Sequence, residues 1–503
     1  MRVLLVSPAA HSGDAGVSGG VAGYVADLAG SVAVAGCEVG IVNAGHAYRP
    51  GRLVRTRRDG RCGWEELEPV GGIRRFQLVN SPVLAPALWQ FGGPRDEMSC
   101  RAIEHAFGGV CRRFKPHVVH IHGFEGFSAG IVAIAKRAGA RVMFSVHNYH
   151  AFCPQVYLLQ GRREPCVDFL GGYACEGCEG TIDRGAERRR RATGTGEPPS
   201  IEPPERAPVM TFEADGSPTA ETRALWSYEH PWWQPIEDAM PDAERSMDAA
   251  GVYGERRAAF VRAINECDAV LAVSGATAEI CRRMGVDAAG IRVTSIGSWA
   301  ADVPVSERPA APGDGEPLRL VFLGFGSYPK GLGVLCDALL LLTPEYRSRV
   351  AVVAHGPAVG EEMARLDPVS GELAGLEVGG RYTRDEVVGL LAGADAAVVP
   401  SVWHDNGPQT AIEARALGVP VIGSRIGGIP DIIADGVDGE LFRANDRLDL
   451  ARVIATCVRE SGRLARLRQR IRPWITMWEH VDALVGLYGA ALSSGRAGQR
   501  EQA

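Results

Sequence analysis

"SVWHDNGPQTAIEARALGVPVIGSRIGGIPDII" runs from Ser401 to Ile433. The residues just before it, Val398-Val399-Pro400, read as the end of a buried strand. Asp405-Asn406-Gly407-Pro408 makes a turn, and a helix begins near Gln409. An apolar strand follows at Pro420 to Ser424, then a second turn at Gly427-Gly428. Strand, turn, helix and strand in that order form a βαβ unit, which implies a parallel sheet. Ligands of such sheets bind beyond the C-terminal ends of the strands. The helix N-terminus can hold a diphosphate there with its free amides. Asp405 precedes the helix and can accept hydrogen bonds from hydroxyls beside that anion. Glu413 lies one turn in and can reach a vicinal diol, as carboxylates do with ribose. One acid near a helix start does no more than complement the dipole. Acids on both sides of an anion site point to a polyol attached to phosphates, hence to a sugar nucleotide.

The same alternation extends in both directions. Strand-like runs stand at Arg2 to Pro8, Glu38 to Gly45, His117 to Gly123, Arg141 to Asn148 and Asn265 to Gly275, with helical patterns between them. Residues 301–317, "ADVPVSERPAAPGDGEP", form a Pro/Gly/acid linker. A second series follows, with strands at Leu318 to Gly324, Arg349 to Gly356, Ala394 to Ser401 and Pro420 to Ser424. The expected α/β architecture is two doubly wound, Rossmann-like domains, residues 1–300 and 318–472, facing a cleft. A helical tail, 473–503, packs back on the first domain. Residues 180–246 break the pattern. They are rich in Pro, Glu and Arg and carry the run Arg188 to Arg191, which reads as a solvated surface excursion, whereas the cluster of Trp226, Trp232 and Trp233 reads as a patch that docks onto a surface, over a cleft.

A chain of 503 residues exceeds what one hydrophobic core supports. Its net charge of -6 disfavours nucleic acid as the main partner. No apolar run has the length of a membrane helix, so membrane contact is at most peripheral. The start, "MRVLLVSPAA", lacks the layout of an export signal, and the expected location is the cytoplasm. Twelve cysteines in a reducing compartment are expected as thiols or metal ligands.

Other candidates also follow strands. Gly19-Gly20, after the first strand, can bring backbone amides to an anion, although no dinucleotide fingerprint is present. His122 and His147-Asn148 end two strands of the first series. Lys330-Gly331 stands past a strand where a helix starts, placed to neutralise a phosphate, without the Ser/Thr of a Walker loop. Cys153, Cys166, Cys175 and Cys178 fall in a 26-residue segment, residues 151–180 being cysteine-rich, with one C-x2-C pair. Such a set can hold a structural zinc; free thiols or an adventitious disulfide are the alternatives.

Together these residues resemble the retaining glycosyltransferases of the GT-B fold, of the large family 4 (group 1) type. The most specific motif is an acid, seven residues and a Glu, here Asp405 to Glu413, followed by "EARALGVPVIGSRIGGIPDIIADGVDGELF". "PHVVHIH", "SVHNYHAFCP", "AVSG", Gly19-Gly20 and Lys330-Gly331 also match. The resemblance covers nearly all of the chain outside 180–246. It implies transfer of a sugar from a nucleotide-sugar donor to a hydroxyl acceptor (a glycan, a lipid-linked sugar or a small molecule) with retention of configuration and no required metal. Glu413 would bind the donor ribose, and Asp405 the donor sugar, helped by the amides of Asn406 and Gly407. Gln409 and Thr410 would present amides to the phosphates, Lys330 would contact the diphosphate, Gly19 and Gly20 would line the cleft, and His147 would lie beside the reacting sugar. Two positions depart from the pattern. Asp405 replaces the usual Glu, and Phe325 stands where an Arg often precedes the Lys-Gly pair. Alternative functions are a nucleotide-sugar epimerase or phosphorylase on the same scaffold, or a non-catalytic nucleotide-sugar-binding subunit.

Overall fold

A computed structural model describes residues 1–8, 20–47, 62–83, 85, 94–160, 164–166, 175, 178, 251–304 and 316–500. Gly19, the arginine run, the tryptophan cluster and the linker centre lie outside these. The strands are β1 (Arg2–Val6), β2 (Glu38–Ala47), β3 (Gly63–Val70), β4 (Ile73–Val79), β5 (Val118–Ile121), β6 (Arg141–Val146), β7 (Leu159–Gln160), β8 (Glu164–Pro165), β9 (Ala269–Ala272), β10 (Ile291–Val293), β11 (Leu318–Leu323), β12 (Val350–His355), β13 (Gly375–Gly379), β14 (Ala396–Val399), β15 (Val421–Ser424) and β16 (Glu440–Phe442).

Two sheets carry the fold. The first has the order β10-β9-β6-β5-β1-β2-β4-β3, the second β13-β12-β11-β14-β15-β16. All neighbours are parallel except β3 against β4. β1, β5, β9, β14 and β15 are buried along nearly their whole length. That is why they read as unbroken apolar runs rather than alternating ones. The expected two-domain α/β GT-B architecture is therefore present. The antiparallel hairpin β3–β4, the edge strands β10 and β13, and β16 were not singled out from sequence. They are short, or at sheet edges with weak apolar patterning; β3 and β13 are mostly exposed or half-buried.

One apolar cluster draws on both units. Tyr24, Val25 and Leu28 of the helix Gly20–Val34, Ala411 and Ile412 of the helix Gln409–Ala416, and Val481, Leu484 and Tyr488 of the last helix belong to it. The last helix, Met477–Arg500, begins in the second unit's trailing segment and packs on the first, as expected. Polar groups pin it there. Tyr24 Oη shares a 2.6 Å hydrogen bond with His480 Nε2, and Tyr488 Oη a 2.6 Å bond with His120 Nδ1. Trp474 Nε1 donates to Ile296 O at 2.9 Å, so the two connections between the units run side by side. No described helix is long and apolar enough to cross a membrane.

Tyr488 is fully buried, so Tyr488→Phe leaves His120 Nδ1 without its partner inside the protein. The expected cost is about 1–3 kcal/mol of unfolding free energy, read by urea titration. An unchanged midpoint would show that this bond does not hold the helix down.

Candidate active site

Both sheets turn the C-terminal ends of their strands toward one cleft, and Lys330, Asp405 and His147 follow strands directly while Glu413 lies on the next helix. In the second sheet the chain order reverses between β11 and β14, which are direct neighbours. Such a switch point opens a crevice between the loops that leave the two strands. Lys330 leaves from β11 and Asp405 from β14. Their side chains meet there, Lys330 Nζ donating to Asp405 Oδ2 at 2.8 Å. Burial opposes the Lys330 charge, but the carboxylate's charge and hydrogen bond outweigh it and hold the ammonium pKa above its usual value. Ser401 Oγ donates to the same oxygen at 3.2 Å, and the ammonium also stands 5.5 Å over the Trp403 ring.

Backbone approach makes this meeting possible. Lys330 ends a single 3-10 turn, Tyr328–Lys330, and Gly331 follows with φ 71°. A Cβ on Gly331 would lie 1.7 Å from Pro400 O, so only glycine lets the Lys330 turn rest against the β14 exit. On the other side Gly427, φ 57°, presses on the Asp405 backbone, where a Cβ would fall 2.4 Å from its carbonyl oxygen. Gly428 N donates to that oxygen at 2.7 Å. The second Gly-Gly turn of the opening stretch is thus the cradle of Asp405.

The helix Gln409–Ala416 starts immediately after Pro408. Thr410 Oγ1 donates to Leu323 O at 2.8 Å, tying the helix start to the end of β11. A Cβ on Gly20 would touch Gln409 Cγ at 3.0 Å, so the starts of the helices Gly20–Val34 and Gln409–Ala416 abut at the cleft. Asn406 Nδ2 donates across the cleft to Val146 O at 3.1 Å, the residue before His147. Asp405 and His147 are thereby brought to opposite walls of the same space. Glu413 lies one turn along the helix and is half-buried, and the loss of hydration pushes its pKa up to about 7. A 3.0 Å bond from Trp299 Nε1 and the charge of Arg384 pull the other way, and Asp27 adds a further push upward.

His147 is one of four close-set histidines. Its Nε2 shares a 3.0 Å bond with His122 Nδ1 and its ring stands 4.9 Å from Tyr24; His120 packs 4.1 Å from His122. Burial, then the nearby His480, pushes His147 down to about 3, and burial pushes His480 to about 4. His147 is therefore a neutral hydrogen-bonding group at physiological pH, not a cation. Asn148 Nδ2 donates to Glu125 Oε1 at 3.0 Å, steadying the loop behind it.

Sequence reasoning missed several partners: Ser401, Trp403, Trp299, Arg384, Asp27 and Tyr24. Ser401 and Trp403 stood inside the quoted stretch, but the others lie far away in sequence and carry no motif. Buried Trp403 Nε1, His404 Nε2 and Asn406 Oδ1 have no hydrogen-bond partner among the described residues. Such orphaned polar atoms, clustered beside the Asp405 turn, suit a site that takes a polar ligand. Cys175 is pushed up by burial, then by Cys153, Cys166 and Cys178, so the four thiols lie near one another. Among the described residues no three His, Cys, Asp or Glu side chains converge closely enough to hold a metal ion.

The comparisons with known proteins fit this geometry. Residues 317–460 match the family model described as glycosyl transferases group 1, and residues 19–192 the glycosyl transferase 4-like domain, together more than half of the chain. The chain belongs to the group 1 glycosyltransferases and has their GT-B fold. It is 32% identical over 169 residues to a D-inositol 3-phosphate glycosyltransferase of Mycolicibacterium smegmatis, covering 32% of this chain and 38% of that one. A namesake from Xylanimonas cellulosilytica is 29% identical over 265 residues, 49% of this chain and 63% of its own. These matches span less than two thirds of the relatives' lengths. Among solved structures it is similar to Anabaena HepE in complex with UDP and glucose, with TM-score 0.54, 13% identity and coverage of 97% and 100%. Sucrose-phosphate synthase from Thermosynechococcus elongatus gives TM-score 0.55, 16% identity and coverage of 99% and 98%.

Lys330→Met would leave Asp405, only 5% exposed, without its counter-ion. Because Lys330 itself is partly open to water, the expected loss is about 1–3 kcal/mol of stability rather than the full cost of a wholly buried pair. The loss should vanish in Lys330→Met with Asp405→Asn, a double-mutant cycle read by denaturation.

Proposed function

We propose that this protein transfers a sugar from a nucleotide-sugar donor to a hydroxyl acceptor with retention of anomeric configuration, in the cytoplasm. The observation that carries this reading is the Lys330–Asp405 pair at the switch point of the second sheet, with Glu413 one turn along the adjoining helix. The cation and helix amides suit a diphosphate, and the two carboxylates suit the sugar and ribose hydroxyls on either side of it. HepE, solved with UDP and glucose, shares the fold.

In this reading Lys330 and the amides at Gln409 and Thr410 hold the diphosphate, and Gly20, with Gly19 before it, lines the cleft. As the glycosidic C–O bond breaks, negative charge grows on the leaving phosphate, where a fixed ammonium and helix dipole stabilise it. The acceptor oxygen attacks the same face of the sugar, and its proton passes to the departing phosphate oxygen. Asp405, with the amides of Asn406 and Gly407, orients the sugar, and neutral His147 hydrogen-bonds a sugar hydroxyl. No metal takes part in the transfer.

A thermal-shift screen of nucleotide sugars tests the donor class, since a ligand at a hundredfold excess over its Kd adds about 2.7 kcal/mol. With the donor in hand, Glu413→Ala should weaken nucleotide binding by about 1.5–3 kcal/mol, the worth of a hydrogen bond to a charged group. Asp405→Ala should slow transfer more than it weakens nucleotide binding. Unchanged donor affinity in Glu413→Ala would remove the ribose assignment. Free nucleotide-sugar isomers as product would point to an epimerase, and binding without turnover to a non-catalytic subunit.

We also propose that Cys153, Cys166, Cys175 and Cys178 draw together around a structural zinc that stiffens the loop after His147. Their mutual electrostatic influence supports this, and closing the site requires the thiols to converge further than they do here. Elemental analysis of protein purified without chelator should find about one zinc per chain, lost in Cys175→Ser and Cys178→Ser. Metal-free protein with four titratable thiols and full activity would refute it.

A further inference from the structure

Glu413 is not oriented by its own helix alone. Trp299 opens a short 3-10 turn, Trp299–Asp302, in the chain that leaves the first unit, and Ser298 Oγ caps that turn by accepting from Ala300 N at 3.2 Å. The turn delivers the indole N–H to Glu413 Oε1 at 3.0 Å. The other face of the indole is covered by the Arg384 guanidinium, 4.5 Å from the ring centroid. Arg384 in turn forms an ion pair with Asp27, on the helix Gly20–Val34 of the first unit. Tyr382 also faces the carboxylate. The groups around Glu413 are thus an indole N–H, a phenol, one cation and one further carboxylate, supplied by four different elements.

We infer that Trp299 is a positioning residue for donor recognition: its N–H holds one oxygen of Glu413, keeping the group ionised and turning the remaining oxygen toward the ligand. This rests on the reading of Glu413 as the ribose acceptor. Phenol and indole are both good packing groups, but among the described residues the indole is the group that donates to the acid, while the Arg384–Asp27 pair lies beside it. A half-buried carboxyl near neutrality is finely balanced. Here burial pushes it up to about 7, and the Trp299 bond and Arg384 hold it from going higher. A protonated Glu413 has one fewer acceptor site for a diol, so donor affinity should rise with pH through the neutral range.

The test uses UDP-glucose and GDP-mannose as probes, titrated by calorimetry between pH 6 and 8.5. The diphosphate of a nucleotide sugar is already fully ionised there, so any pH dependence belongs to the protein. Wild type should gain affinity as pH rises and level off above neutrality. Trp299→Phe, which keeps a ring under Arg384 but removes the N–H, should show the same rise displaced upward by about one pH unit, so that the variants differ several-fold at pH 7 and converge at pH 8.5. Glu413→Gln should bind weakly with no pH dependence. A second readout needs no ligand. The difference in unfolding free energy between wild type and Glu413→Gln, followed against pH, reports the Glu413 proton. Because the folded group has the raised pKa, its ionised unfolded form is favoured as pH climbs. The difference should therefore change between the ordinary glutamate range and the folded pKa, and its upper limit should move up in the Trp299→Phe background. A Trp299→Phe protein with both limits unmoved overturns the inference while leaving the ribose assignment intact. A flat wild-type profile with Glu413→Gln binding as tightly as wild type overturns the ribose assignment itself, and the inference with it.

Discussion

The short turn from Ser401 to Asn406 is held by backbone contacts on every side, and the cleft depends on it. Asp405 O accepts from Gly428 N, Asp405 N donates to Trp403 O at 2.6 Å, and Ser424 Oγ donates to Ser401 O at 2.6 Å. A buried turn must satisfy its own peptide groups, and this one does so by resting on the glycine turn after β15. The result is an Asp405 backbone set by the main chain, with its carboxylate held by the Ser401 hydroxyl. An ammonium is then brought to it from the neighbouring strand. Asp405 is buried while Lys330 is part-exposed, so it is the carboxylate that needs its partner. In the proposed transfer, a phosphate entering beside Lys330 would meet a cation whose orientation is already fixed, which would lower the reorganisation needed when charge builds on the leaving group.

Across the cleft, the opposite wall is built on neutrality. His120, His122, His147 and His480 sit together with no carboxylate partner among the described residues, and burial depresses every one of them. Four imidazolium ions in that space would repel one another and lose hydration, so the neutral forms prevail and can bond to each other and to Tyr24, Tyr488 and Ser145. The last helix contributes His480 and Tyr488 to this cluster. The histidine wall of the site and the docking of the C-terminal helix are consequently one structure, which explains why a helix from the far end of the chain bears on residues beside the substrate space.

The architecture was legible because fully buried parallel strands leave apolar runs such as Arg2 to Val6 and Ala396 to Val399, and because the acids at 405 and 413 bracket a turn and a helix start. Lys330 was legible from its place after a strand, but not its ion pair with Asp405, since 75 residues separate them and only the adjacency of β11 and β14 joins them. Trp299 was opaque for a similar reason. It lies beside a linker whose composition signals only flexibility, and its role arises from the crossing of chain connections. The edge strands β10 and β13 were missed because partly exposed strands lose the apolar signature. Phe325, where an arginine was looked for, is 46% exposed and forms none of the site's hydrogen bonds.

Among the described residues, the polar contacts that bridge the cleft are few and of modest individual strength. Asn406 reaches Val146 O, Asp431 Oδ2 accepts from Gly275 N at 2.7 Å, and Arg384 meets Asp27. A neutral hydrogen bond nets about 1 kcal/mol and an exposed ion pair less, so these contacts add little to the apolar cluster that the two units share. The tighter coupling lies at the connections, where Trp474, Ile296, Ser298 and Ile475 are interlocked by hydrogen bonds.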